Sequence, residues 1–166
     1  MKFSQQRFFL FPLLIMTFCA GCATNITGSR VTVPLAPEAG SYRSMAVAVY
    51  SESIPGAPEL QFISSQIIAR ARQAGLYDTL VDQIVQPDAK ADAGLAVAIA
   101  DIRRGSKPSV ASVVRLIDLK TKRILGEAVI EGKSSITAGG NGTIEEAMDK
   151  LTIQIVDFLS HRGAFR

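Results

Sequence analysis

Cys19 and Cys22 are the only thiols in this 166-residue chain, and His161 is its only imidazole. Thiol chemistry is therefore confined to the first 22 residues, and the count is too small for a Cys/His metal site. A hydrolase triad needs a base held against a nucleophile by a third group. His161, beside Ser160 near the carboxyl end, has no such enclosure and is read as complementing a helix dipole. Glu145, Glu146 and Asp149 gather where a helix should begin. Carboxylates there could bind a divalent cation, but they equally offset the positive helix end, and Glu146 lies four residues before Lys150. Gly139-Gly140-Asn141-Gly142 precedes the same helix like an anion cradle. It lacks the P-loop spacing and its Lys, so a flexible loop is expected. Arg103, Arg104 and Lys107 share one turn and are the candidate contact for an acidic partner or anionic headgroups. A solvated hairpin tip is the plainer alternative. No nucleophile is joined to a base, so the expectation is a chain that is not an enzyme and holds no metal.

The elements that position these residues follow from pattern. Nearly half of the chain is hydrophobic, a fifth is charged and Trp is absent, which predicts a globular domain with an aliphatic core. Met45–Tyr50 is a compact apolar run, read as a strand. Pro55, Gly56 and Pro58 break it. From Glu59, the positions Leu60, Ile63, Ile67, Ile68, Ala71 and Ala74 repeat at the helical period, and Gly75 is a stop signal before apolar Leu76. The stretch 76–85 is ambiguous, with a short strand around Leu80 as one reading. Ala93–Ile102 alternates Leu95, Val97 and Ile99 against Ala96, Ala98 and Ala100, and an alanine face would let a helix approach closely. Val110–Leu119 and Arg123–Gly132 read as a hairpin around Lys120–Lys122. Thr143 and Glu146 have capping-box spacing, and Ile144, Ala147, Met148, Leu151, Ile155, Phe158 and Leu159 form one face of a final helix.

The expected fold is therefore α/β: a two- or three-layer sandwich with a mixed sheet of about four strands in the order β-α-β-β-β-α and two main helices. The crossover helix favours parallel pairing of the first two strands, and the later strands connect as antiparallel hairpins.

The amino-terminal segment has its own logic. Lys2 and Arg7 precede an apolar run, Phe8 to Ala20, followed by Gly21 and Cys22. A run of 13 residues is short for a bilayer span, which needs about 20, but suits a signal-peptide core. The pattern resembles the bacterial lipoprotein lipobox, with Cys19 standing where Leu is usual. The resemblance implies a diacylglycerol on the Cys22 thiol, cleavage before it and acylation of the new amine. The alternative is an ordinary signal with unmodified Cys22, or an uncleaved anchor. Ala23, in place of the Asp that retains such proteins in the inner membrane, implies the outer membrane. The division is then 1–21 signal peptide, 22–43 lipidated Cys and tether, and 44–166 a single domain, with Val31 and Val33 allowing a short strand inside the tether. Without Lys2 and Arg7, 16 basic and 15 acidic residues remain. That near balance leaves no basic arm for nucleic acid.

A lipobox, a tether, an apolar strand, a helix and the hairpin Arg115-Leu116-Ile117-Asp118-Leu119-Lys120-Thr121-Lys122-Arg123-Ile124-Leu125-Gly126-Glu127 together resemble a group of envelope lipoproteins. The group includes the curli secretion lipoprotein, the lipoprotein activators of penicillin-binding proteins and the TolB amino-terminal domain. Asp118 and Thr121 fit its strand–Asp–turn pattern, while Lys122 stands where Gly is usual. Read from the residues alone, Asp118 accepts hydrogen bonds from turn backbone groups. The resemblance implies a non-enzymatic envelope module that binds a protein partner in envelope assembly, secretion or peptidoglycan maintenance, with oligomeric state open. The other function class is a small-ligand or glycan-binding module using the loops around Arg103 and Gly139.

Overall fold

The computed structural model describes residues 28–135 and 142–160. Nine elements follow one another: β1 (Arg30–Val33), a 3-10 turn (Pro37–Ser41), β2 (Ser44–Tyr50), α1 (Pro58–Gln73), β3 (Thr79–Asp82), β4 (Ala93–Arg103), β5 (Ser109–Asp118), β6 (Ile124–Lys133) and α2 (Ile144–Leu159). The strands form one sheet in the order β1-β6-β5-β4-β2-β3. β2 pairs in parallel with both β3 and β4. β4, β5, β6 and β1 pair antiparallel in turn.

The α/β class, the two helices and the mixed sheet stand as expected, but the sheet has six strands rather than about four. The two additional strands, β1 and β3, are its edges and have four residues each. Neither carries a local pattern strong enough to declare itself, because each is held by one long-range neighbour. β1 also lies inside the segment read as a tether. There, Val31, Leu35, Ala36 and Tyr42 pack against the core, and the Ala36 amide donates to the Leu125 carbonyl at 2.6 Å.

Period-two alternation decides which sheet face is covered. Met45, Val47, Leu95, Val97, Val114, Leu116 and Ile130 point to one side and are fully buried. Ile63 and Ile67 of α1, with Leu151, Ile155 and Phe158 of α2, close over them. Burial of each such side chain contributes about 1.5–3 kcal/mol. Two layers result, with both helices on the large-aliphatic face. This corrects the expectation that alanine marks the helix side: Ala96, Ala98 and Ala100 lie on the other face, which no described helix covers. The close helix approach occurs instead at Gly132, where a Cβ would fall 2.6 Å from the Leu151 amide nitrogen of α2.

Local signals fix the helix ends. α1 begins with Pro58, whose missing N–H costs nothing in the first turn. It ends in a Schellman motif: Gly75 has φ of 64°, its amide donates to the Arg72 carbonyl, and the Leu76 amide donates to the Ala71 carbonyl. α2 is capped by Thr143, whose hydroxyl accepts from the Glu146 amide at 3.1 Å. No described helix is long and apolar enough to cross a membrane.

Candidate functional site

The Arg103, Arg104 and Lys107 turn joins β4 to β5 at the carboxyl ends of β2 and β4, next to the start of α1. The three residues do not form one cationic patch. Arg103 Nε donates to Asp101 Oδ2 at 2.6 Å. Arg104 pairs with Glu59 in the first turn of α1, a carboxylate that also offsets the helix end. Lys107 is exposed and has no ion pair among the described residues. Two of the three charges are thus answered within the domain. Glu59 and Asp101 are partners the sequence reading did not single out: Asp101 stands two residues before Arg103, whereas Glu59 meets the turn only through the fold.

Beside this turn lies a cavity of about 440 Å³ lined by Ser51, Ser53, Ile54, Glu59, Asp101, Arg104 and neighbouring apolar residues. Its walls carry two carboxylates, one guanidinium and two hydroxyls over an isoleucine floor. Glu59 is paired with Arg104 and Asp101 with Arg103 outside the cavity, and the Ser51 and Ser53 hydroxyls lie 3.1 Å apart within hydrogen-bond reach. No base is aimed at a nucleophile here.

The other candidate clusters are structural. Asp118 Oδ1 accepts from the Lys120 and Thr121 amides at 2.8 and 2.9 Å. Its Oδ2 accepts from the Tyr42 hydroxyl at 2.9 Å. The Thr121 amide foremost, with the Tyr42 and Thr121 hydroxyls and the Lys120 amide, holds its carboxyl down to about 2 against the opposing effect of desolvation. Lys122 has φ of 63°, the only described non-glycine residue on the left-handed side. Glu146 does not complete the capping box by reaching back to Thr143. It accepts from the Ser134 hydroxyl at 2.7 Å and the Ser135 amide at 3.1 Å, and it pairs with Lys150 at 2.9 Å. The Ser134 hydroxyl, then Lys150, are the main causes that bring its carboxyl to about 2. Asp149 pairs with Arg70, tying α2 to α1. Among the described residues, no three His, Cys, Asp or Glu side chains are arranged to hold a metal. Cys22, His161 and the Gly139-Gly140-Asn141 stretch lie outside the described residues.

Besides the sheet face that no described helix covers, the two sheet edges are open. Among the described residues β1 pairs only with β6, and β3 only with β2. Val33 is 40% exposed at the first edge. Ile84 and Val85, just past the second, are 51% and 62% exposed. A sheet edge presents unpaired N–H and C=O groups to any strand that can reach them.

No known family profile matches the chain, and no curated protein matches it. Solved structures do. A point variant of PelC from Paraburkholderia phytofirmans, described as a dodecamer, is 18% identical with a TM-score of 0.58, over 79% of this chain and 95% of that one. A PelC dodecamer in another crystal form gives 17% and 0.57, over 78% and 95%. Protein XCC0632 from Xanthomonas campestris gives 13% and 0.50, over 82% and 92%. These likenesses establish a shared fold.

Proposed function

We propose that this chain is a lipid-anchored, non-enzymatic module of the bacterial envelope that works by contacting other protein chains, its own copies among them. The observation that carries the reading is the adjacency of anchor and edge. Only six residues, 22–27, separate the start of a lipobox-like cleavage product from Gly28, whose amide bonds the Glu131 carboxylate at 2.8 Å. An acylated Cys22 would hold the β1 edge close to a bilayer, in the outer membrane if Ala23 acts as its position suggests. The non-enzymatic reading draws support from the side-chain pairing: Arg103 with Asp101, Arg104 with Glu59 and Glu146 with Lys150 bond to each other and converge on no reacting position. Assembly with its own copies is supported by the shared fold with PelC, whose structures are described as dodecamers. Metabolic labelling with a palmitate analogue tests the anchor. Wild-type protein should incorporate label and sediment with membranes, and Cys22→Ser should do neither. Label retained in Cys22→Ser, or no label in wild type, overturns the reading.

The 440 Å³ cavity favours a second reading, a small polyol or glycan held between Arg104, Asp101 and the Ser51 hydroxyl. Titration with peptidoglycan fragments, observed by NMR, decides it. Shifts confined to this turn and abolished by Arg104→Ala support binding, and unshifted spectra remove it.

A further inference from the structure

From the placement of the two edges we infer that copies of this chain associate head to tail, β1 of one against β3 of the next, continuing one sheet from molecule to molecule. The inference rests on the reading that the chain assembles with its own copies, and it names the surfaces. Strand directions make the join possible. β3 runs parallel to β2 and β4, β5 opposes them, β6 opposes β5, and β1 opposes β6. β1 is therefore antiparallel to β3, so a neighbour docked in the same orientation meets an antiparallel edge. Both strands are four residues long. Val31 and Leu80 each pack against the helix-covered core, so an aligned join places both on the same face.

Charge fits the same arrangement. Arg30 opens β1, and Lys120 sits at the hairpin tip near its far end, where Arg123 is already answered by Glu38. The opposite edge, residues 78–90, carries Asp78, Asp82 and Asp88 and one base of its own, Lys90; Asp78 is already answered by Arg43 at 3.1 Å. In the antiparallel join, Arg30 comes to the carboxyl end of the neighbour's β3, beside the exposed Val85 and Asp88. The hairpin tip comes level with the neighbour's Asp78–Arg43 pair, so the charge complementarity rests on Arg30 and Asp88. Opposite charges steer association and fix its orientation. Two unlike, complementary patches on opposite sides of one molecule form a heterologous contact, which generates rings or open chains rather than a closed dimer.

The test uses the full-length lipidated protein in mild detergent, with mass measured by analytical ultracentrifugation. Wild type should sediment as a multiple of the protomer. Arg30→Glu and Asp88→Lys should each lower that mass at least several-fold towards the protomer, and Val85→Asp should do the same. Mixing the Arg30→Glu and Asp88→Lys proteins should restore the large species, because in a head-to-tail array every junction then carries opposite charges. Circular dichroism confirms that each variant is folded. Oligomers that persist in all three variants overturn the edge assignment while leaving self-assembly intact. A wild-type protein that is monomeric overturns both. Failure of the mixed sample to reassemble overturns the head-to-tail polarity.

Discussion

Lys122 is where a single side chain works against its backbone. Its φ of 63° places a long, unbranched cationic residue in the left-handed region, which disfavours L residues by about 1–2 kcal/mol. The turn holds because Asp118 collects the Lys120 and Thr121 amides and the Lys122 amide bonds the Asp118 carbonyl at 2.8 Å. Lys122→Gly should therefore raise stability by about 1 kcal/mol, after the greater freedom of glycine in the unfolded chain is subtracted. Urea denaturation measures it, and a lower midpoint would show that the lysine contributes more than its backbone costs. Glu146 makes a second residue-level prediction. Its carboxyl titrates near 4.5 when unconstrained and at about 2 in the fold, mainly through the Ser134 hydroxyl and Lys150. A depressed acid stabilises the fold above its unfolded pKa and loses that contribution as pH falls through the folded value. The melting temperature should thus fall between pH 4.5 and 2, and Glu146→Gln should flatten that part of the profile. An unchanged slope in the variant would place the acid sensitivity elsewhere, with Asp118 the next group to examine.

At the scale of elements, what the sequence declared depended on whether a segment's partner was local or distant. β2, β4, β5 and β6 were legible because alternating or continuous aliphatic runs give a strand its period wherever it pairs. α1 and α2 were legible through their stripes and through Pro58, Gly75 and Thr143 at their ends. β1 and β3 were legible only as possibilities, since four residues flanked by prolines or polar loops become strands when a neighbouring edge accepts them. The covered face was misjudged for a related reason: Ala96 and Ala98 suit close approach, but the helices follow the larger buried area of Leu95, Val97 and Ile99. The turn at Arg103 and Arg104 was legible as a cluster of charge, and its neutralisation by Asp101 and Glu59 was not, because Glu59 arrives from 45 residues away. The close approach that does occur can be tested. Gly132 lies under Leu151 with no room for a methyl group, so Gly132→Ala should destabilise by about 1–3 kcal/mol through overpacking. Gly75→Ala, in open space but at φ of 64°, should cost about 1 kcal/mol through backbone strain alone. Equal losses at the two sites, read by thermal melts, would contradict this packing of α2 on the sheet.

For the whole molecule, the folded sheet begins nearer to Cys22 than a tether of 22 residues would put it. A flexible segment of that length reaches about 25 Å on average by the square-root rule, and a domain so held would sample many orientations. Residues 22–27 allow at most about 20 Å even at full extension, and β1 at their end is fixed to β6 through the Arg30↔Val129 and Val31↔Ala128 pairs. Lipidation would therefore confine orientation as well as place, because the strand that leads to the membrane is also one edge of the sheet. Neurtron reflectometry of the lipidated protein on a supported bilayer should find the domain within about 20 Å of the headgroups. Inserting twelve Gly/Ser residues after Thr24 should widen that gap and broaden the domain profile without changing the melting temperature. If the wild-type layer already stands further off, the sheet does not begin at β1 in the anchored state, and the link between anchor and edge is lost. If the insertion widens the gap and also disperses assemblies formed at the bilayer, then the short connection contributes to assembly by holding neighbouring edges in one plane, where each contact needs to overcome less rotational freedom.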